Sequence, residues 1–415
     1  MKRLKSLFLL NFCMCVIWFL TGCGGNSGEE QAQEGLSTIP DTTTNQPKVK
    51  EEEPKPIDRK FDDLARLIAG LAPQEGSTYQ ELCQTDAWKQ YAQTADVQWK
   101  NINEKKLPLM TEWRDQELKA PNEEKGLIFY PFSGPDFLHV HTFFPKADEI
   151  VMIGLEPIGN LPDIDAISKN SLGAYMNGLQ QGLYHILTHS FFRTLSMAQD
   201  FTGRRVAAID GTLPILMLFL ARTDHKVLYY EKVAVNLDGK LVPAEELKSD
   251  STYYGTKIAF QKNSEPNSRK YLYYFAANLQ NDPYVAESGL KSGGLIQRTD
   301  FKKYIESLDI KTTYLKSASY LMYRETFSII RNLILDKSKY LLQDDSGMPI
   351  NFIDRNKWDL TFYGSYYAPI ALFSVRYQPE LRKIYAQKEN VKPLPFGIGY
   401  QFQAGTSNLM LGVKK

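Results

Sequence analysis

The chain has almost no cysteine and few histidines to work with. Four of its 415 residues are cysteine and five are histidine. Cys13 and Cys15 lie in an apolar N-terminal stretch and Cys23 stands just behind it, which leaves Cys83 alone in the rest of the chain. One thiol cannot close an intramolecular disulfide, so the body must stand on a hydrophobic core. A 43% apolar composition over this length can supply one. Charge of one sign is lacking too. With 49 basic and 48 acidic side chains the net charge is +1, which removes the electrostatic case for a nucleic-acid partner. The Gly-x-Ser-x-Gly nucleophile elbow is absent, and Cys83 sits in a polar stretch with no sign of activation.

What is present begins with Lys2, Arg3 and Lys5, followed by apolar residues 7–20 interrupted by Asn11. This is a basic n-region and an h-region of signal-peptide length, short for a membrane span. Leu20-Thr21-Gly22-Cys23 follows and resembles the lipobox of bacterial lipoproteins, a leucine and two small residues before cysteine. The resemblance implies that residues 1–22 are a signal peptide and that Cys23 becomes the lipidated first residue. The alternative is an ordinary secretory signal with Cys23 incidental. Acyl chains on Cys23 would anchor the protein to a bilayer, since each buried methylene contributes about 0.8 kcal/mol. The expected location is the bacterial cell envelope, with the outer membrane favoured over the inner.

From Gly24 to about Lys60 the chain has no aromatic residue and is rich in Gly, Ser, Thr, Pro and Glu, including Glu51-Glu52-Glu53-Pro54. Such a segment buries too little apolar surface to offset its ordering entropy, so residues 23–60 read as a disordered tether. A flexible chain of about 35 residues has an r.m.s. span of roughly 30–35 Å. Residues 61–415 read as one large α/β domain, with 61–120 as a helical entry region. Asp58 is placed to cap a helix carrying Phe61, Leu64, Leu67, Ile68 and Leu71, and a second helical stretch carries Trp88 and Trp99.

The main body opens with apolar residues 126–132, as for a strand buried on both faces. A turn at Ser133-Gly134-Pro135-Asp136, a short apolar helix over 137–144 and a second buried strand ending in Glu156 complete a parallel βαβ unit. A long helix is expected over 172–199, and a buried strand over 213–220. Antiparallel strands are expected over 227–235, 252–262 and 271–276, and further strands over 312–321, 340–342 and 358–363. A helix is expected over 327–335. The expected fold is therefore a mixed sheet with a Rossmann-like parallel unit, added antiparallel strands and an N-terminal helical region.

Ligands of open α/β sheets bind beyond the carboxyl ends of parallel strands. That rule singles out Ser133, Asp136, Glu156, Asp344 and Asp345. Converging carboxylates can bind a cation or serve as acid and base, while singly Asp136 can cap a helix and Asp344-Asp345-Ser346-Gly347 can be a turn. His139 with His141, and His185 with His189, have spacings compatible with zinc, but no Glu follows His185 as a metalloprotease motif requires. The abundant Tyr and Phe, 24 and 22 residues, allow sugar stacking in an exported protein, and equally serve strands and core. Gly397-Ile398-Gly399 reads as a turn.

The first unit resembles the opening of Rossmann-like or methyltransferase-like sheets. There residues 130–136 would approach a ligand and Glu156 would bond a ribose. It departs from that pattern in having one glycine where several are usual, and Pro135 removes a backbone donor. No cofactor and no metal are expected. YPFSGPDFL (130–138), GLEPIG (154–159), LKSASYLM (315–322), LQDDSGMP (342–349) and PFGIGY (395–400) together resemble a group of uncharacterised bacterial exported proteins and lipoproteins. That resemblance implies one folded unit and names no reaction. The expectation is a lipid-anchored envelope protein that binds an unknown small molecule or protein through the carboxyl edge of its sheet. The alternatives are a hydrolase using the carboxylates with Ser133, or a Rossmann-like transferase.

Overall fold

The computed structural model describes residues 56–164, 169–189, 211–247, 254–282 and 294–415. The expected signal segment, Cys23 and nearly all of the expected tether lie outside the described residues. The first helix, α1 (Arg59–Ile68), takes in the last two residues of the expected tether. Asp58 caps it, its carboxylate accepting the Lys60 backbone N–H at 3.1 Å. Three further helices follow, α2 (Asp86–Lys105), α3 (Leu107–Glu117) and α4 (Lys119–Glu124).

The expected βαβ unit is formed by β1 (Leu127–Pro131), α5 (Phe137–Phe143) and β2 (Glu149–Gly154), with β1 and β2 parallel. The next helix, α6 (Lys169–His189), covers the described part of the long helix expected over 172–199. Residues 213–220, expected as a buried strand, are instead helical in α7 (Leu213–Arg222). A short, wholly apolar run carries neither period, so its pattern fits either element. Pro214 in the first turn suits a helix start, where its missing N–H costs nothing. Packing then buries all ten residues of α7. Arg222 in its last turn donates from Nε to the Ala69 carbonyl at 2.7 Å, tying α7 to the end of α1.

The remaining elements are β3 (His225–Val235), β4 (Leu241–Pro243), β5 (Tyr254–Lys262), β6 (Lys270–Ala276), α8 (Thr299–Ser307), β7 (Ile310–Leu315), α9 (Ser328–Lys337), β8 (Tyr340–Gln343), β9 (Trp358–Gly364), α10 (Pro379–Ala386), β10 (Val391–Lys392) and β11 (Asn408–Lys414). The eleven strands of the described residues join one sheet in the order β10-β9-β11-β8-β7-β1-β2-β6-β5-β3-β4. The central five, β6-β2-β1-β7-β8, are parallel. Their chain order reads 3-2-1-4-5, the Rossmann-like order, with the switch point between β1 and β7. β6 was expected among antiparallel strands. It pairs antiparallel with β5 but parallel with β2, and so closes the parallel set. On the far side β11 runs antiparallel between β8 and β9.

Both faces of the sheet are covered. Along each central strand alternate side chains feed two separate cores. Ile128 and Tyr130 of β1, Met152 of β2, Tyr314 of β7 and Leu342 of β8 share one core with α1, α2, α3, α5, α6 and α7. Phe129, Val151, Leu315 and Leu341 share the other with α8, α9 and α10. Each fully buried Phe, Leu or Ile contributes about 1.5–3 kcal/mol, so this two-faced burial is where the stability of a body without disulfides resides. No described helix is long and apolar enough to cross a membrane.

Candidate functional site

The five segments carrying the family resemblance come from distant parts of the chain and finish at one edge. Residues 130–138, 154–159, 315–322 and 342–349 leave the carboxyl ends of β1, β2, β7 and β8. Residues 395–400 approach the same edge, because β11 runs opposite to β8 and starts where β8 ends.

At the switch point Asp136 gathers a buried polar cluster. It caps α5 by accepting the His139 N–H at 3.3 Å. Its Oδ1 also lies 2.7 Å from His139 Nδ1, and its Oδ2 accepts the Tyr130 hydroxyl at 2.9 Å and Lys316 Nζ at 2.5 Å. Lys316 Nζ is 3.1 Å from the same His139 Nδ1. A neutral imidazole has one N–H, and a carboxylate at 2.7 Å fixes it on Nδ1. His139 Nε2 is then a buried acceptor without a partner among the described residues. Burial raises the Asp136 pKa, but its interactions with His139 and with the Lys316 ammonium outweigh it and hold the carboxyl well below its usual range. Burial lowers His139 to about 4 against the pull of Asp136. Burial, reinforced by the Lys316 charge, lowers Lys106 at the α2–α3 junction to about 7.

The other predicted carboxylates do not join this cluster. Glu156 is buried three strand steps from Asp344, roughly 14 Å at the usual strand spacing. The Tyr274 hydroxyl lies 3.0 Å from the Glu156 carbonyl oxygen and 3.4 Å from its Oε2. A Cβ at Gly154 would strike Glu156, Tyr274 and Gly134, so the first loop packs directly onto the end of β2. Glu156 is thus turned into the protein rather than presented to a ribose, and these residues do not fit a dinucleotide-type cofactor. Ser133 extends the β1–β2 pairing. Its N–H and its hydroxyl both approach the Ile153 carbonyl, at 2.9 and 3.3 Å.

Asp344 and Asp345 hold the loop after β7. Asp344 Oδ2 accepts the Ser317 N–H at 2.9 Å, while Oδ1 accepts the N–H and the hydroxyl of Ser346. Asp345 accepts the Tyr320 hydroxyl and, at 3.0 Å, the Asn408 side-chain amide. A small cavity, large enough for about one water molecule, lies among Gln343, Asp345, Gln378 and Asn408. Burial, with Asp345 beside it, raises the Asp344 pKa, and burial raises that of Asp345. The loop they hold is strained. Ser317, Ser319 and Tyr320 all have left-handed backbones, as does Phe132 after β1. Four of the six described non-glycine residues with positive φ therefore sit in the two loops at the switch point. Such residues cost about 1–3 kcal/mol each and persist where their surroundings over-determine them.

The strained loop carries an aromatic cap. The Tyr320 ring lies 4.9 Å from Phe373 and stacks on Tyr400 at 6.4 Å, and Phe373 meets Tyr400 at 5.3 Å. Tyr400 bonds both Ser319 (2.7 Å) and the Ser317 carbonyl (3.0 Å). Gln401 donates to the Ala368 carbonyl at 2.7 Å, joining the loop before β11 to the loop after β9. The outer surface of this cap is apolar. Val375 is 85% exposed, Tyr367 74% and Leu372 61%, with Tyr377 and Phe402 beside them. Five of the thirteen exposed large hydrophobic residues of the described chain fall in this one place. Sequence reasoning found the carboxylates but not Lys316, Tyr320, Asn408 or this surface. The apolar run at 366–375 was the available signal.

The remaining candidates disperse. His141 stacks on Phe137 at 5.3 Å and meets the His225 ring edge-on at 4.5 Å, away from His139. His185 and His189 lie on α6, but their side chains fall outside the described residues. No group of three or more metal-ligating side chains occurs among the described residues. Gly399 has φ +70°, and a Cβ there would meet the Asp344 carboxylate, so Gly397-Ile398-Gly399 is a turn against β8. Cys83 is buried, and burial raises its thiol to about 11. No protein-family model, no curated protein and no solved structure matches this chain.

Proposed function

We propose that this chain is a lipid-anchored protein of the bacterial cell envelope, tethered through Cys23, whose α/β body recognises a ligand or partner at the carboxyl edge of its sheet. The observation that carries the recognition role is the division of labour at that edge. The buried carboxylates brace a strained loop, and the loop presents an exposed aromatic and aliphatic surface. Braced, preorganised loops on a rigid sheet are a usual platform for binding. The hydrolase alternative has less support, since Ser133 faces a backbone carbonyl and Glu156 stands apart from Asp344.

Two measurements test the reading. Metabolic labelling with an alkyne-palmitate should mark the protein, and Cys23→Ser should abolish both the label and resistance to alkaline carbonate extraction. Persistence of either in the variant refutes the anchor. A photocrosslinking amino acid in place of Tyr367 should capture a discrete species in intact cells. The same group in place of Val97, exposed elsewhere on the body, should not. Equal or absent crosslinking at both sites refutes recognition at this edge.

A further inference from the structure

We infer that the aromatic cap is a contact surface for a bilayer containing acidic phospholipids. The inference rests on the carboxyl edge being a recognition surface, and it does not require Cys23 to be acylated. Three observations carry it. Val375, the most exposed of them, and Leu372 are aliphatic and stand on two short 3₁₀ turns joined by a kink at Phe373 (Ala371–Arg376), with the exposed tyrosines Tyr367 and Tyr377 and with Phe402 around them. Aliphatic tips ringed by tyrosine suit the interface between headgroups and acyl chains, where amphipathic rings settle.

Charge is the second observation. The three segments that build the cap, residues 317–324, 365–377 and 396–406, contain Arg324 and Arg376 and no Asp or Glu. This is unusual for a chain whose acids and bases are nearly equal in number, 48 against 49. At the margin, Arg382 stacks over Tyr367 at 4.7 Å and Lys383 is exposed. The nearest acids in sequence, Glu325 and Glu380, flank the cap, and Glu325 is paired with Arg331 at 3.0 Å. An acid-free apolar tip with basic residues around it complements a negatively charged lipid surface.

The third observation is rigidity. The cap is fixed from beneath by Asp344, Asp345 and Ser346 through the 317–320 loop. Insertion into lipid therefore orders little that was not ordered already, which favours binding.

The test uses a chain of residues 24–415, which keeps the whole compact unit Pro54–Lys415 and lacks Cys23. Co-sedimentation is measured with vesicles of phosphatidylcholine alone and of phosphatidylcholine with phosphatidylglycerol. The expected result is binding to the acidic vesicles at least about tenfold stronger than to the neutral ones, weakened by salt. Leu372→Asp with Val375→Asp should abolish it while the circular dichroism spectrum and melting temperature are kept. Both positions are exposed, so the fold does not depend on them. No binding to acidic vesicles, or equal binding by the double variant, overturns the inference. Crosslinking at Tyr367 to a protein, with no vesicle binding, overturns it too while leaving recognition at this edge intact.

Discussion

Asp344 accepts the backbone N–H of Ser317 at 2.9 Å, so the end of β8 fixes the first residue of a strained turn at the end of β7. The turn would otherwise relax, because a left-handed serine has no local reason to persist. Replacing Asp344 by Ala leaves the N–H groups of Ser317 and Ser346 without their acceptor. The expected cost is about 2–4 kcal/mol, from the lost hydrogen bonds and the desolvated donors left behind. Urea unfolding measures this, and crosslinking at Tyr367 should weaken alongside. An unchanged midpoint would show that the loop is held by other means.

The Lys316–Asp136 pair offers a second test. Both side chains are almost fully buried, and Lys316→Met strands a carboxylate whose remaining partners are Tyr130 and His139. Removing one member of a buried pair typically costs about 3–5 kcal/mol. The double variant Lys316→Met with Asp136→Asn should be less destabilised than the sum of the single changes. Strict additivity would mean that the two groups are not coupled.

Acid should weaken the fold through histidine. Burial holds both His139 and His225 at about 4, below the ordinary value of 6.5. Between those limits the unfolded chain binds protons that the folded chain refuses, so stability is full above pH 6.5 and is lost as pH falls towards 4. For one such histidine, linkage gives about 2 kcal/mol lost on going from neutral pH to pH 5. The Asp344–Asp345 pair works the other way. Its raised pKa values favour the folded state in acid, and that advantage fades as pH rises. Comparing wild type with His225→Phe at pH 7.5 and pH 5 isolates the histidine. The variant ring can pack against Phe137 and Phe260 as His225 does, and its loss of stability at pH 5 should be smaller by about that amount. Equal losses would exclude His225 as a source.

Cys83 should be inert in the native protein. It is buried with a raised thiol pKa, and thiolate is the reacting form. A thiol reagent should label it at the rate of unfolding, and fast labelling in the folded state would contradict its burial.

Continuous apolar runs made β1 and β2 readable from the chain, and Asp58 marked the start of α1. Residues 213–220 misled because eight apolar positions buried on every side leave no period to read. The strand order was not legible either. Nothing local says that β7 follows α8 back to the far side of β1, or that β6 lies parallel beside β2. The candidate carboxylates were found by their place after buried strands. Their partners were not, because Lys316, Tyr320 and Asn408 reach them across folds of the chain. Lys316 lies 180 positions beyond Asp136, and only the register of β1 against β7 brings them together.

The place of β11 has a consequence for the integrity of the sheet. It is the last of the described strands in chain order, yet it lies inside the sheet between β8 and β9. Without residues 408–414 the strands β6, β2, β1, β7 and β8 keep their partners, but the β9–β10 pair has no strand linking it to β8. The loop from 396 to 407 reaches the carboxyl edge only with that strand. Tyr400 docks on Ser317 and Ser319 from that loop, so the surface at this edge depends on the pairing of β11 within the sheet.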